Sequence, residues 1–227
     1  TLAVHAFRLR RVIEVQLMSQ ANHYILAAID LSGSMAGRSI ATAQTQIQEL
    51  YSEIRQVQGF TTEDIYYGII GFDEDAFWLM DLSKIADITN LPKFQIRPDG
   101  EGLYKRTSYA SLLSFLDRQL SVQRIPAEFE SLRILLFSDG FSADREDLLL
   151  AAFGKLKGNR YYTSPKCERY SINDEMDSSK TQLEYRAWFS SDFVSNAKNM
   201  VDSAGFSGLI SRILASFTSG QVIPTVF

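Results

Sequence analysis

The 227-residue chain is predicted to be α/β: a doubly wound, mostly parallel central sheet with one antiparallel edge strand and helices on both faces. Three observations carry that prediction. Short, almost unbroken apolar runs, residues 24–29 and 132–138 among them, read as strands buried on both sides. Between such runs lie segments whose apolar residues recur at three- and four-residue steps, as helices covering a sheet require. Residues 65–72 and 76–82 are separated only by Asp73-Glu74-Asp75, a link too short for anything but an antiparallel pair.

Taken in order, residues 24–29 form the first strand. Residues 39–57 follow as a helix, because Ile40, Ala43, Ile47, Leu50, Ile54 and Val57 share one face, and Gly59 with Phe60 closes it. The strand pair 65–72 and 76–82 comes next, then a short connecting helix over 83–88. Ala110, Leu113, Leu116 and Leu120 mark a second main helix over 108–120, after a loop containing Gly100 and Gly102. Residues 132–138 are a central strand. A helix over 144–156 opens with Asp144 as its cap and with Glu146 and Asp147 in its first turn, where negative charge suits the helix dipole. Beyond Gly158 the pattern weakens: 169–173 reads as an edge strand, and 178–188 as a helix, with a strand over 183–189 as the competing reading. Residues 199–201 form a short strand. The last helix spans 205–217, with Phe206, Leu209, Ile210, Ile213, Leu214 and Phe217 apolar. No internal repeat or low-complexity tract is present.

Composition narrows the function. At 45% hydrophobic and 22% charged, the chain can bury one sizeable core. We assign a single domain to 22–220, an N-terminal extension to 1–21 and a tail to 221–227. Met18 reads as a natural start just before the first core strand, so 1–17 is either vector-derived or an upstream addition. That segment is interrupted by His5, Arg8, Arg10, Arg11 and Glu14 and has no secretory apolar core. No apolar run is long enough to cross a membrane. The formal charge of -4, with no basic cluster longer than Arg8-Leu9-Arg10-Arg11, argues against nucleic acid as a partner. The single cysteine, Cys167, rules out an internal disulfide framework and suits a reducing compartment; a cytoplasmic location is expected.

The chemistry concentrates at strand ends. Asp30-Leu31-Ser32-Gly33-Ser34 leaves the first strand with one carboxylate, two hydroxyls on alternate positions, and a glycine that lets the backbone curl until all three face one point. Such oxygens suit magnesium, and with few charged ligands the ion stays electrophilic toward a further group. The same residues also serve as helix caps and turns, so the pentad alone is ambiguous. Two later segments match its chemistry: Lys105-Arg106-Thr107-Ser108-Tyr109 ahead of a helix, and the strand ending Phe137-Ser138-Asp139-Gly140.

Other polar clusters read as structural. Asp73-Glu74-Asp75 and Asp174-Glu175-Met176-Asp177 lack calcium-loop spacing and are expected to be solvated turns. His5 and His23 have no zinc partners at ligand spacing. Phe77, Trp78, Tyr161, Tyr162 and Trp188 read as core or interface.

In these three ordered motifs the chain resembles the von Willebrand factor A (VWA) family, the fold shared with integrin inserted domains. The resemblance implies a metal-ion-dependent adhesion site of Mg2+ or Mn2+ held by Asp30, Ser32, Ser34, Thr107 and Asp139, with Ser108 as the ligand if the register shifts by one. It also implies a protein partner whose Asp or Glu carboxylate completes the shell, and a last helix able to shift on ligation. Within the family the chain looks closest to bacterial tellurium-resistance proteins of the TerY type, through residues 30–37, Gly71-Phe72-Asp73, Gly205-Phe206-Ser207 and Ser216-Phe217-Thr218-Ser219. That likeness implies a cytosolic scaffold linked to stress. The enzyme alternative is a magnesium-dependent phosphohydrolase of haloacid-dehalogenase type with Asp30 as nucleophile. Ser32 stands where such an enzyme places its second acid, and a serine cannot buffer a proton near neutrality. No phosphate-cradling loop, nucleophile elbow or Cys/His pair is present, so no catalytic activity is expected.

Overall fold

The computed structural model describes residues 22–58, 64–96, 105–122, 125–139, 143–172, 200–201 and 203–218. Strand β1 is Asn22–Asp30, followed by helix α1 at Arg38–Gln58, then β2 at Asp64–Phe72 and β3 at Ala76–Lys84. Helix α2 is Tyr109–Ser121, β4 is Ser131–Phe137, α3 is Glu146–Lys157 and β5 is Cys167–Ile172. Strand β6, Met200–Val201, and helix α4, Ser203–Thr218, complete the order. The expectations for His5, Trp188, the acid run 174–177, the segment 178–189, the extension 1–21 and the tail 221–227 fall outside the described residues.

The strands form one sheet in the order β3-β2-β1-β4-β5-β6, with β3 antiparallel to β2 and the remaining pairs parallel. This is the doubly wound, mostly parallel architecture read from the alternating strand and helix patterns. Side chains of β1 show why both faces must be covered. Tyr24, Leu26 and Ala28 join the core under α2 and α3, whereas Ile25, Ala27 and Ile29 join the core under α1 and α4. The period-two alternation of a strand sends consecutive apolar residues to opposite faces, so an unbroken apolar run needs two layers of helix. On α2 the buried residues are Tyr109, Leu112, Leu113, Phe115, Leu116 and Leu120, which include the expected Leu113, Leu116 and Leu120, while Ala110 is only half-buried. Each fully buried leucine there stabilises the packing by about 1.5–3 kcal/mol.

Three elements differ from expectation. Strand β3 runs on through Ser83 and Lys84, which pair with Tyr67 and Tyr66, and only Ile85–Asp87 turns as a short 3-10 helix. Lys84 Nζ lies 2.7 Å from Asp64 Oδ2, an ion pair that holds the strand end in register. The strand read as an edge, β5, is interior, because β6 pairs along its outer side. Cys167, at the start of β5, is buried in the core under α2 and α3.

Strand β1 has β2 on one side and β4 on the other. The chain winds from β1 through α1 to β2, then crosses the opposite face through α2 to reach β4. That reversal makes the carboxyl ends of β1 and β4 the switch point of the sheet, where the flanking loops diverge and leave a crevice. Asp30 ends β1, and Ser138-Asp139 follows directly on β4.

Candidate metal centre

Register alone brings the first and third motifs together. Ala28 pairs with Leu136 and Ile29 with Phe137, so the next step along both strands sets Asp30 beside Ser138. Ser138 Oγ donates to Asp30 Oδ2 at 2.7 Å and lies 2.8 Å from the Tyr109 hydroxyl, from which it is then left to accept. On the other carboxylate oxygen, the Ser32 backbone N–H donates to Asp30 Oδ1 at 2.9 Å. Asp30 is fully buried, and each hydrogen bond described to it comes from a neutral donor.

The Thr107 segment, residues 105–108, has no regular structure of its own and is held by its neighbours. Gly33 N donates to Lys105 O at 3.1 Å, Ser108 N to Asp73 O at 2.8 Å, and Ala143 N to Thr107 O at 2.9 Å. Thus anchored, the Thr107 hydroxyl donates to Ser32 Oγ at 2.7 Å and stands 3.4 Å from Asp30 Oδ2. Ser32 Oγ is in turn 3.1 Å from Ser34 Oγ. Thr107, and not Ser108, therefore faces Asp30. Ser108 points elsewhere: its hydroxyl accepts from Ser111 N and donates to Asp144 Oδ1 at 2.7 Å, capping α2.

The oxygen set fits a small hard cation. Neighbouring ligands at about 2.1 Å from magnesium stand about 3 Å apart in an octahedron, and the three separations linking Ser34, Ser32, Thr107 and Asp30 span 2.7 to 3.4 Å. Asp139 is buried at the same edge, close enough that its charge acts on Asp30. Ser32 and Thr107 are buried whereas Ser34 is exposed, so the cluster opens to solvent on the Ser34 side. Among the described residues no group of three or more His, Cys, Asp or Glu is placed to hold a metal. The set here is instead hydroxyl-rich, which disfavours zinc and a calcium cage and leaves magnesium or manganese as the fit.

Burial pushes the Asp30 carboxyl up to about 6, hydrogen bonds from Ser32 and Ser138 pull it partly back, and the Asp139 charge adds to the rise. A carboxylate held in so dry a place is destabilised until a positive charge arrives beside it.

Three residues were not singled out from the sequence as part of this site. Ser138 carries no local signal of a role beside Asp139, and the equal register of β1 and β4 is the signal that finds it. Glu74 and Asp75 are exposed in the turn as expected, but Asp73 is not solvated. It is fully buried, its Oδ1 accepts from Asp75 N at 3.1 Å, and Lys105 Nζ lies 3.9 Å away. Directly after Phe72, the β2 partner of Asp30, it lies on the carboxyl edge of β2. Asp144 does not cap the helix that follows it. Arg145 occupies that cap position without a side-chain bond, and Asp144 instead binds the start of α2. His23 is structural: its Nδ1 meets Ser131 Oγ at 2.8 Å and its ring packs on Phe217, at the amino edge of the sheet.

No family model matches the chain, and no curated protein matches it. Solved structures do share the fold. The PilB minor pilin from Streptococcus sanguinis aligns at a TM-score of 0.62 and 13% identity, over 90% of this chain and 64% of that one. The pilus adhesin SpaC from Lactobacillus rhamnosus GG aligns at 0.61 and 14%, over 88% of this chain and 31% of the adhesin. Proximal thread matrix protein 1 from the mussel byssus aligns at 0.55 and 13%, over 87% and 48%. The chain thus spans less than two thirds of each neighbour, and at these identities the likeness is one of fold. No helix among the described residues is long and apolar enough to cross a membrane.

Proposed function

We propose that the protein is a metal-ion-dependent binding module of the VWA type and not an enzyme. Asp30, Ser32, Ser34, Thr107 and Asp139 hold Mg2+ or Mn2+ directly or through water, and an Asp or Glu carboxylate from a protein partner completes the shell. Bound there, the ion supplies an electrophilic point for that carboxylate. The observation that carries this reading is the convergence of Asp30, Ser32, Ser34 and Thr107 oxygens from two separate loops at octahedral-edge separations, with Asp139 beside them. Asp30 is better suited to ligation than to nucleophilic attack, because it is buried and both of its oxygens are already engaged by Ser32 and Ser138. One of the fold neighbours is by name a pilus adhesin, which agrees with a binding role.

Calorimetric titration with Mg2+ and Mn2+ tests the ion. Wild type binds, Asp30→Ala does not, Thr107→Ala binds more weakly, and Thr107→Ser, which keeps the hydroxyl, stays near wild type. Capture from a lysate of the native host, with and without chelator, tests the partner. Equal capture under both conditions defeats the proposal. The cytosolic setting and a scaffold role in stress or tellurium resistance belong to the same proposal and rest on the sequence resemblance. Fractionation of the native host checks the location.

A further inference from the structure

We infer that Asp144 is the positioning residue that holds Thr107 at the candidate metal centre. The inference rests on the metal reading above and concerns a side chain outside the five proposed ligands. Thr107 sits in an irregular segment, so its hydroxyl is only as well placed as the segment's anchors. One anchor is the start of α2, immediately C-terminal to Thr107. Asp144 grips that start with both carboxylate oxygens: Oδ1 accepts from the Ser108 hydroxyl at 2.7 Å and Oδ2 from Ala110 N at 2.8 Å. Its neighbour Ala143 adds a backbone bond to Thr107 O at 2.9 Å. The pair Ala143-Asp144 therefore clasps Thr107, Ser108 and Ala110.

The chemistry of the clasp is directional. Ala110 N is one of the first amides of α2 and has no partner within the helix, so a carboxylate there satisfies an orphan donor and meets the positive end of the helix dipole. Ser108 supplies its lone pair to Ser111 N and its proton to Asp144, so each partner is used once. Because α2 is fixed against the sheet by Tyr109, Leu112 and Leu113, the clasp also ties Ala143-Asp144 to that rigid body. Thr107 and the Ala143-Asp144 pair are thereby held as a unit, although Thr107 and Ala143 lie 36 positions apart in the chain.

Titration with Mn2+ alone, on the full chain, tests this. Asp144→Ala is expected to weaken Mn2+ binding by about tenfold or more, the scale seen when a partner that orients a ligand is removed. Asp144→Asn, whose amide can still accept from Ala110 N and donate to Ser108 Oγ, stays within about threefold of wild type. Ser108→Ala, which cuts the same link from the other side, reproduces part of the loss. The decisive readout is a double-mutant cycle: if Asp144 acts through Thr107, adding Asp144→Ala to Thr107→Ala weakens Mn2+ binding no further, while melting in chelator shows the two stability losses adding. Wild-type affinity in Asp144→Ala, or an equal loss in the Thr107→Ala background, overturns the inference while leaving the metal reading standing. Failure of wild type to bind Mn2+ overturns both.

Discussion

A carboxylate at the dry end of a strand is under tension between its own burial and whatever charge it is there to meet, and Asp30 shows the consequence in its titration. Its ordinary value of 3.8 rises to about 6 in the folded protein without metal. The folded state therefore holds a proton that the unfolded chain has released between about pH 4 and 6, so stability falls as pH rises through that window and stays reduced above it. The loss is up to about 3 kcal/mol. Asp30→Asn removes it: without metal, at pH 7, the variant is expected to unfold at higher urea than wild type, to be flatter in stability between pH 4 and 6, and to bind no Mg2+. A variant that melts below wild type in chelator at pH 7 contradicts this account. The same titration sets metal binding to weaken below about pH 6, where protons compete for Asp30. Asp30, Ser32, Ser34, Thr107 and Asp139 were all legible as residue types in ordered motifs. Ser138 and Asp144 were not, because each acts on a partner remote in sequence, Asp30 across β1 and β4 and the α2 start respectively.

Among the elements, the loop from β1 into α1 has the tightest backbone requirement. Gly37 stands at φ +83°, and a Cβ there would meet nothing within 4 Å. A substitution is therefore strained by backbone conformation alone. Gly37→Ala is expected to lower stability by about 1–2 kcal/mol in urea unfolding, with a weaker metal affinity as the Ser32–Ser34 turn loosens; a neutral substitution shows that the loop readjusts freely. At Gly71 the constraint is space instead. An added Cβ would come within 2.8 Å of Leu31 Cδ1, in the Asp30–Ser34 loop. Helices and strands with long apolar stripes were readable because burial repeats at their own period. The end of β3 and the interior place of β5 were not, since a cross-strand pair such as Tyr67 with Ser83 leaves no mark in local pattern.

For the molecule as a whole, the two edges of the sheet do different work. At the amino edge, buried Arg133 donates from Nε to Glu168 Oε2 at 2.9 Å, from Nη1 to Ser131 Oγ and from Nη2 to Ser216 Oγ, and it covers the Phe217 ring. It so binds β4, β5 and the end of α4 together. Arg133→Ala is expected to destabilise by about 2–4 kcal/mol, through unpaired polar groups and lost packing, while leaving Mg2+ affinity within about twofold because the metal centre is at the opposite edge. Equal loss of stability and metal affinity would show that the edges are coupled. Saturating metal should act on the entire fold: at a hundred times its Kd it adds about 2.7 kcal/mol and raises the melting temperature, and Asp30→Ala abolishes the shift. The strand and helix periods by themselves determined the α/β class and the antiparallel β2–β3 pair, since each is a local property of spacing and residue type, whereas the five candidate oxygen donors are what the resemblance of three ordered motifs implies. Only the tertiary structure decided that Thr107 rather than Ser108 faces Asp30, that Asp73 is buried, and that Asp144 caps a helix other than its own. Those outcomes depend on which loops meet at the switch point, and no window of sequence contains both sides of such a meeting.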